Sequence, residues 1–257
     1  MKKDGPCGAP LATMLSNMLP PILITTAISP PSNTPMLRMT DSNMRSITTR
    51  AAIFFWVGLG LQRIVICDAT ETSVLSPEEL ATIRKLGVLI EQLAYKQDDT
   101  LLAQRGKGFA EGQLIKFAIA NSQLLRSQDS FFKCTGKVFC RNFAAIWDLI
   151  AKNNIANLFW KLSESSPVDR NLVDARFFYT SSGEFHRLLL PAYEQSTETR
   201  ILEYNLLLSL DAQLKRGTSL RPQLSGFAGG TGNPYPEMYL GDLEISYPCW
   251  YSLKAAQ

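Results

Sequence analysis

Apolar side chains return at three- and four-residue steps over most of this chain, and that period predicts helices. Ser76-Pro77-Glu78-Glu79 is a start signal: a serine able to accept from free amides, a proline at the first helical position, and a glutamate three residues past the serine. Behind it Leu80, Ile83, Leu86, Ile90, Leu93, Gln97 and Leu101 keep one stripe, which predicts a single helix ending near Arg105-Gly106. A second helix is predicted from Phe109 to about Arg126 and a third from Asn142 to about Leu162, interrupted at Asn153-Asn154. The fourth runs from about Ala192 to Arg216, with Tyr193, Thr197, Ile201, Tyr204, Leu208 and Ala212 in register, and stops at Gly217.

The period changes in two places. Phe177-Phe178-Tyr179 and Phe185-His186-Arg187-Leu188 flank Ser181-Ser182-Gly183, a pattern that suits a β-hairpin. From Thr218 onward proline, glycine and aromatic residues replace the helical stripe, which predicts an irregular segment with one short strand around Met238 to Ile245. The expected fold class is therefore mainly α: a bundle of about four amphipathic helices, a small β-hairpin and an irregular C-terminal segment over residues 218–257.

The segment Met44 to Thr70 has the three parts of an export signal. Arg45 and Arg50 form a positive head, Ala51 to Leu61 is an unbroken apolar run, and Cys67-Asp68-Ala69 places small residues for cleavage after Ala69. The expected division is then an N-terminal extension over 1–43 that is disordered or foreign to the mature protein, a signal peptide over 44–69, a helical domain over 70–217 and the C-terminal segment. A membrane anchor over Ala51 to Cys67 and a mitochondrial presequence are the alternatives. The expected compartment is secreted or periplasmic, and the absence of any Asn-x-Ser/Thr triplet favours the latter.

Charge narrows the partners. Lys and Arg number 26 against 23 acidic residues, and beyond residue 69 the two signs balance at 20 each, with no cationic run to track a phosphate backbone. Nucleic acid is therefore excluded as an expected partner.

Candidate chemistry is sparse. Cys134 and Cys140, in "CTGKVFC", have the spacing of a small disulfide loop. The glycines of "GFAGGTGNP" lack the following helix that a phosphate loop needs, because Pro234 and Pro236 interrupt it. His186 is the sole histidine, so any histidine-based chemistry uses it, with Glu184 or a cysteine thiol beside it. No metal-ligand spacing and no familiar catalytic motif appears, so neither a metal, a cofactor nor a catalytic set is assigned.

Aromatic residues crowd the second half, and adjacent pairs cannot all point inward. Trp160, Tyr239, Trp250 and Tyr251 are accordingly the expected partner contacts. The favoured reading is a non-enzymatic exported helical protein acting through protein–protein contacts in an envelope or secretion-type assembly. The alternatives are an extracytoplasmic enzyme using Glu184, His186 or a thiol, and a membrane-tethered factor retaining residues 51–67.

Overall fold

A computed structural model of the chain describes residues 19–34, 37–161, 172–214 and 220–228. It is an α/β protein and not a helical bundle. Five strands form one mixed sheet in the order β3-β2-β1-β4-β6, with β1 Ile22–Thr26, β2 Arg63–Asp68, β3 Leu89–Ala94, β4 Ser130–Thr135 and β6 Phe177–Ser181. β1 is parallel to both β2 and β4, β2 is parallel to β3, and only β6 runs against its neighbour. A separate two-stranded ribbon pairs β5 (Val138–Cys140) with β7 (Leu224–Gly226).

The central strands are legible as strands once their two-sided burial is recognised. Ile22-Leu23-Ile24-Thr25-Thr26 is buried at every position, the signature of a parallel strand covered on both faces. Alternate side chains then serve two cores. Ile22, Ile24, Ile64, Ile66, Phe132, Cys134 and Phe177 pack with Ile53 and Trp56 of α1 (Ser42–Gly58), Ile83 of α2 (Pro77–Lys85) and Ile146 of α5 (Phe143–Asn153). Leu23, Val65, Cys67, Phe131 and Phe178 face the other way. They meet Leu114, Ile115 and Ala118 of α3 (Asp99–Asn121), followed by the short α4 (Gln123–Arg126), and reach Tyr193 and Leu206 on later helices.

Residues 44–69 supply most of α1 and all of β2, whose inward faces are core. Ala52, Ile53 and Trp56 on α1 and Ile64 to Cys67 on β2 are each at most 1% exposed, and β1, within the expected extension over 1–43, is the middle strand of the sheet. Cleavage after Ala69 would remove two of the five strands. The eleven-residue apolar run resembles an export signal because a helix that buries one face against a sheet, followed by a fully buried strand, has the same composition. Among the described residues no helix is long and apolar enough to cross a membrane.

The helix predictions hold in part. The capping box at Ser76 forms, with Ser76 Oγ accepting from Glu79 N–H at 3.3 Å and Glu79 Oε2 accepting from Ser76 N–H at 2.8 Å. The helix it opens ends at Lys85, however, and Ile90 and Leu93 belong to β3. The third helix closes at Asn154, which adopts a left-handed conformation, so Leu158 and Phe159 lie beyond it.

The expected hairpin is absent. β6 pairs with β4, Phe132 opposite Tyr179, while Ser181 caps a helical turn by accepting from Glu184 N–H at 3.1 Å. The chain then continues through α6 (Ser182–Glu184), a π-helical turn (Phe185–Leu189) and α7 (Leu190–Glu194). The expected fourth helix is divided: α7 ends at Glu194, the turn around Thr197 accepts from Arg200 N–H at 3.0 Å, and α8 covers Leu202–Leu214. The expected strand at 238–245 lies outside the described residues.

Candidate functional site

The strand order places a gap in the covering layer. From β1 the chain moves outward through β2 to β3, then returns to the other side of β1 as β4, so the direction of winding reverses between β1 and β4. In open α/β sheets the loops part at such a reversal and leave a crevice beyond the carboxyl ends of the strands. A cavity of about 1070 Å³ opens there, lined by Thr25, Thr26, Thr135, Gly136 and Lys137 from the two strand ends and by residues of α1, α3 and the loop before α8.

Asp68, at the end of β2 and 1% exposed, fixes one side of the floor. Its Oδ2 accepts from Ile28 N–H at 2.9 Å; its Oδ1 accepts from Thr70 N–H at 2.8 Å, Thr70 Oγ1–H at 2.5 Å and Thr72 N–H at 3.1 Å. One carboxylate thus ties the loop after β1 to the loop after β2. Arg45, in the first turns of α1, donates from Nε to Ala27 O at 2.7 Å and from Nη1 to Met39 O at 3.1 Å, and it also lines the cavity. Burial pulls its pKa below the ordinary arginine value, and the nearby Asp68 charge partly restores it.

Lys137 is the unusual group. It sits in the turn between β4 and β5 with φ of 70°, only 3% exposed, on the cavity wall. The turn is tied down from three directions. Gly136 N–H donates to Thr25 O at 2.7 Å, Phe227 N–H donates to Lys137 O at 3.0 Å, and β5 pairs with β7. Position 136 has no room for a side chain, since a Cβ there would come within 2.9 Å of Thr26 Cβ and 3.0 Å of Thr25 O. Yet the Lys137 ammonium has no hydrogen bond or ion pair among the described residues. Burial, reinforced by the Arg45 charge and opposed by Asp68, pushes its pKa down to about 7. Beside it the Thr26 hydroxyl is buried with no partner among the described residues.

Lys133, four residues earlier on β4, is the opposite case. It is fully buried, and its ammonium donates to Glu111 Oε1 at 2.7 Å, Thr135 Oγ1 at 2.9 Å and Ala175 O at 2.7 Å. Thr25 Oγ1 also donates to Glu111 Oε1, at 2.9 Å. Glu111 lines the cavity from α3, and Glu203, from α8, lines it from the same side. Burial, with the charges of Glu111 and Asp174 acting the same way, raises the pKa of Glu203 above the usual carboxylate value.

The residues singled out from sequence fall elsewhere. Cys134 and Cys140 form no disulfide: Cys134 Sγ donates to Val138 O at 3.3 Å and Cys140 Sγ to Asn142 Oδ1 at 3.2 Å. Burial pushes the Cys140 thiol up to about 12 and Cys134 up as well, so neither is an activated nucleophile. His186 is exposed and donates from Nδ1 to Ser182 O at 2.8 Å, while Glu184 pairs with the exposed Arg187; neither lines the cavity. Trp160 is 4% exposed, stacks on Phe177 and donates to Leu220 O at 2.9 Å, so it is core and not a contact surface. Tyr239, Trp250 and Tyr251 lie outside the described residues. Among the described residues no cluster of His, Cys, Asp and Glu could hold a metal ion.

Fold and cavity together define an open α/β protein with a cleft at its winding reversal. No protein-family model and no curated protein sequence matches the chain. Among solved structures it is similar to one titled "Putative Glucose-1-Phosphate Thymidylyltransferase from Bacillus anthracis in Complex with a Sucrose", with 12% identity over 90% of this chain and 94% of that one and a TM-score of 0.45. It is also similar to the WbbM bifunctional glycosyltransferase, with 10% identity and a TM-score of 0.42; the match covers 91% of this chain and 44% of that one. Likeness at this level assigns no activity here. The expectation of an exported helical bundle working through partner contacts is nonetheless overturned: the supposed leader is core, Trp160 is buried, and a cleft stands at the strand ends.

Proposed function

We propose that the cleft binds a phosphate-bearing small molecule of nucleotide size, held by its anionic group at Lys137 and Arg45. The observation that carries this reading is the Lys137 ammonium, buried at the cavity wall without a counter-charge hydrogen-bonded to it. Burial of an amine without a partner disfavours its charged form, and an anionic ligand entering the cavity would restore that charge. Location supports the same reading, because winding reversals in open α/β sheets are where nucleotides and related ligands bind. The volume of about 1070 Å³ suits a ligand of that size.

Thermal-shift and calorimetric titration with UMP, ADP and pyrophosphate test it. At least one should stabilise the chain, by about 2.7 kcal/mol at a hundredfold excess over Kd. Lys137→Met should abolish that stabilisation while leaving the chain folded. If none of the three binds, or if Lys137→Met binds as well as the unaltered chain, the reading fails.

A further inference from the structure

The cleft has a second polar end, and its chemistry differs from the first. Glu111 is held in place by a charge and a hydroxyl, since Lys133 Nζ and Thr25 Oγ1 both donate to the same oxygen, Oε1. Its Oε2 has no hydrogen bond among the described residues, although the side chain is 22% exposed on the cavity wall. Behind it Tyr193 is fully buried, and its hydroxyl is also without a partner among the described residues. The charges of Glu111 and Glu203 both reach that phenol. Tyr193 stands behind the cavity wall and does not line it, so the group that faces a ligand is the oriented Glu111 carboxylate, whose Oε2 is an acceptor wanting a donor.

Phosphate brings no such donors, but hydroxyl groups do. Resting on the phosphate reading above, we infer that the Glu111 end binds a hydroxyl-rich portion of the same ligand, a sugar or polyol, with Glu111 Oε2 accepting from one of its hydroxyls. Lys133 then acts as a positioning residue: it holds the carboxylate oriented and has no donor left for the ligand.

The test compares two monoesters of equal charge on the full chain, ribose 5-phosphate and butyl phosphate, by calorimetry. Ribose 5-phosphate should bind more tightly by about tenfold or more, the equivalent of one or two net hydrogen bonds. Glu111→Gln, checked as folded by circular dichroism, should bring the ratio close to one. Equal affinities in the unaltered chain, which needs no variant to fold, overturn the inference while leaving the phosphate reading standing. So does a ratio that survives Glu111→Gln. Failure of both esters and of pyrophosphate to bind overturns the phosphate reading together with it.

Discussion

Lys133 and Lys137 lie one short turn apart, both almost wholly buried, yet they are provided for in opposite ways. Lys133 spends its donors on Glu111, Thr135 and Ala175, whereas Lys137 has none spent among the described residues. Two buried lysines in one fold thus separate what burial alone would merge. A cation whose donors are matched by the protein belongs to the architecture, and one left unmatched beside a cavity points to what enters that cavity.

Several changes would break or sharpen that contrast. The largest effect is expected from Lys133→Met, which takes the donor from Glu111 at the cavity wall and from the buried Ala175 carbonyl and should cost about 3 kcal/mol in chemical denaturation. Adding Glu111→Leu should return much of that loss, because removing both members of a buried pair costs far less than removing one. Lys137→Met should do the reverse: at pH 6 it should leave stability unchanged or raise it by about 1 kcal/mol, since a desolvated charge disappears and no hydrogen bond is lost.

A pH series separates the two lysines without mutation. The Lys137 pKa is about 7 in the fold, below its ordinary lysine value, so between these limits the unfolded chain binds a proton that the folded chain has released. Stability contributed by this group should therefore rise with pH from about 7 towards 10, and the rise should vanish in Lys137→Met. Affinity for sulfate, whose charge is constant over that window, should run the other way, strongest below about pH 7 and falling by up to tenfold per unit above it. The charged groups acting on this amine are Arg45 and Asp68. The smallest effect is expected at His186: His186→Ala should change melting temperature little and anion affinity not at all, because the ring is exposed, outside the cavity, and meets only the Ser182 carbonyl and the edge of Phe185.

Helix starts were legible in the sequence where their chemistry is local. Ser76 and Glu79 satisfy each other within four residues, so their pattern needs no tertiary context. The parallel strands were not legible as strands. Leu23 and Ile24 face different cores, so β1 shows no alternation, and β2 reads as the end of a hydrophobic leader. Ile90 and Leu93 lie at helix-like spacing on a strand that directly follows a helix. The site was harder still. "TGK" at Thr135 to Lys137 is an ordinary turn in sequence, and its significance comes from Asp68 and Arg45, which lie far along the chain within a stretch whose composition matches an export signal. A signal was available in the four-residue spacing of two lysines around a buried β-strand, but only the fold shows which one is matched.

The ribbon of β5 and β7 gives the cleft an unexpected dependence. Gly226 has φ of 115° and sits so close that a Cβ would come within 1.9 Å of the Lys137 carbonyl oxygen. A short stretch near the far end of the described chain therefore works as a clasp on the loop that presents the amine. Damage to that clasp, by bulk at 226 or by loss of residues 224–226, would be felt first as a slack grip on anions, while the five-stranded sheet itself stayed intact.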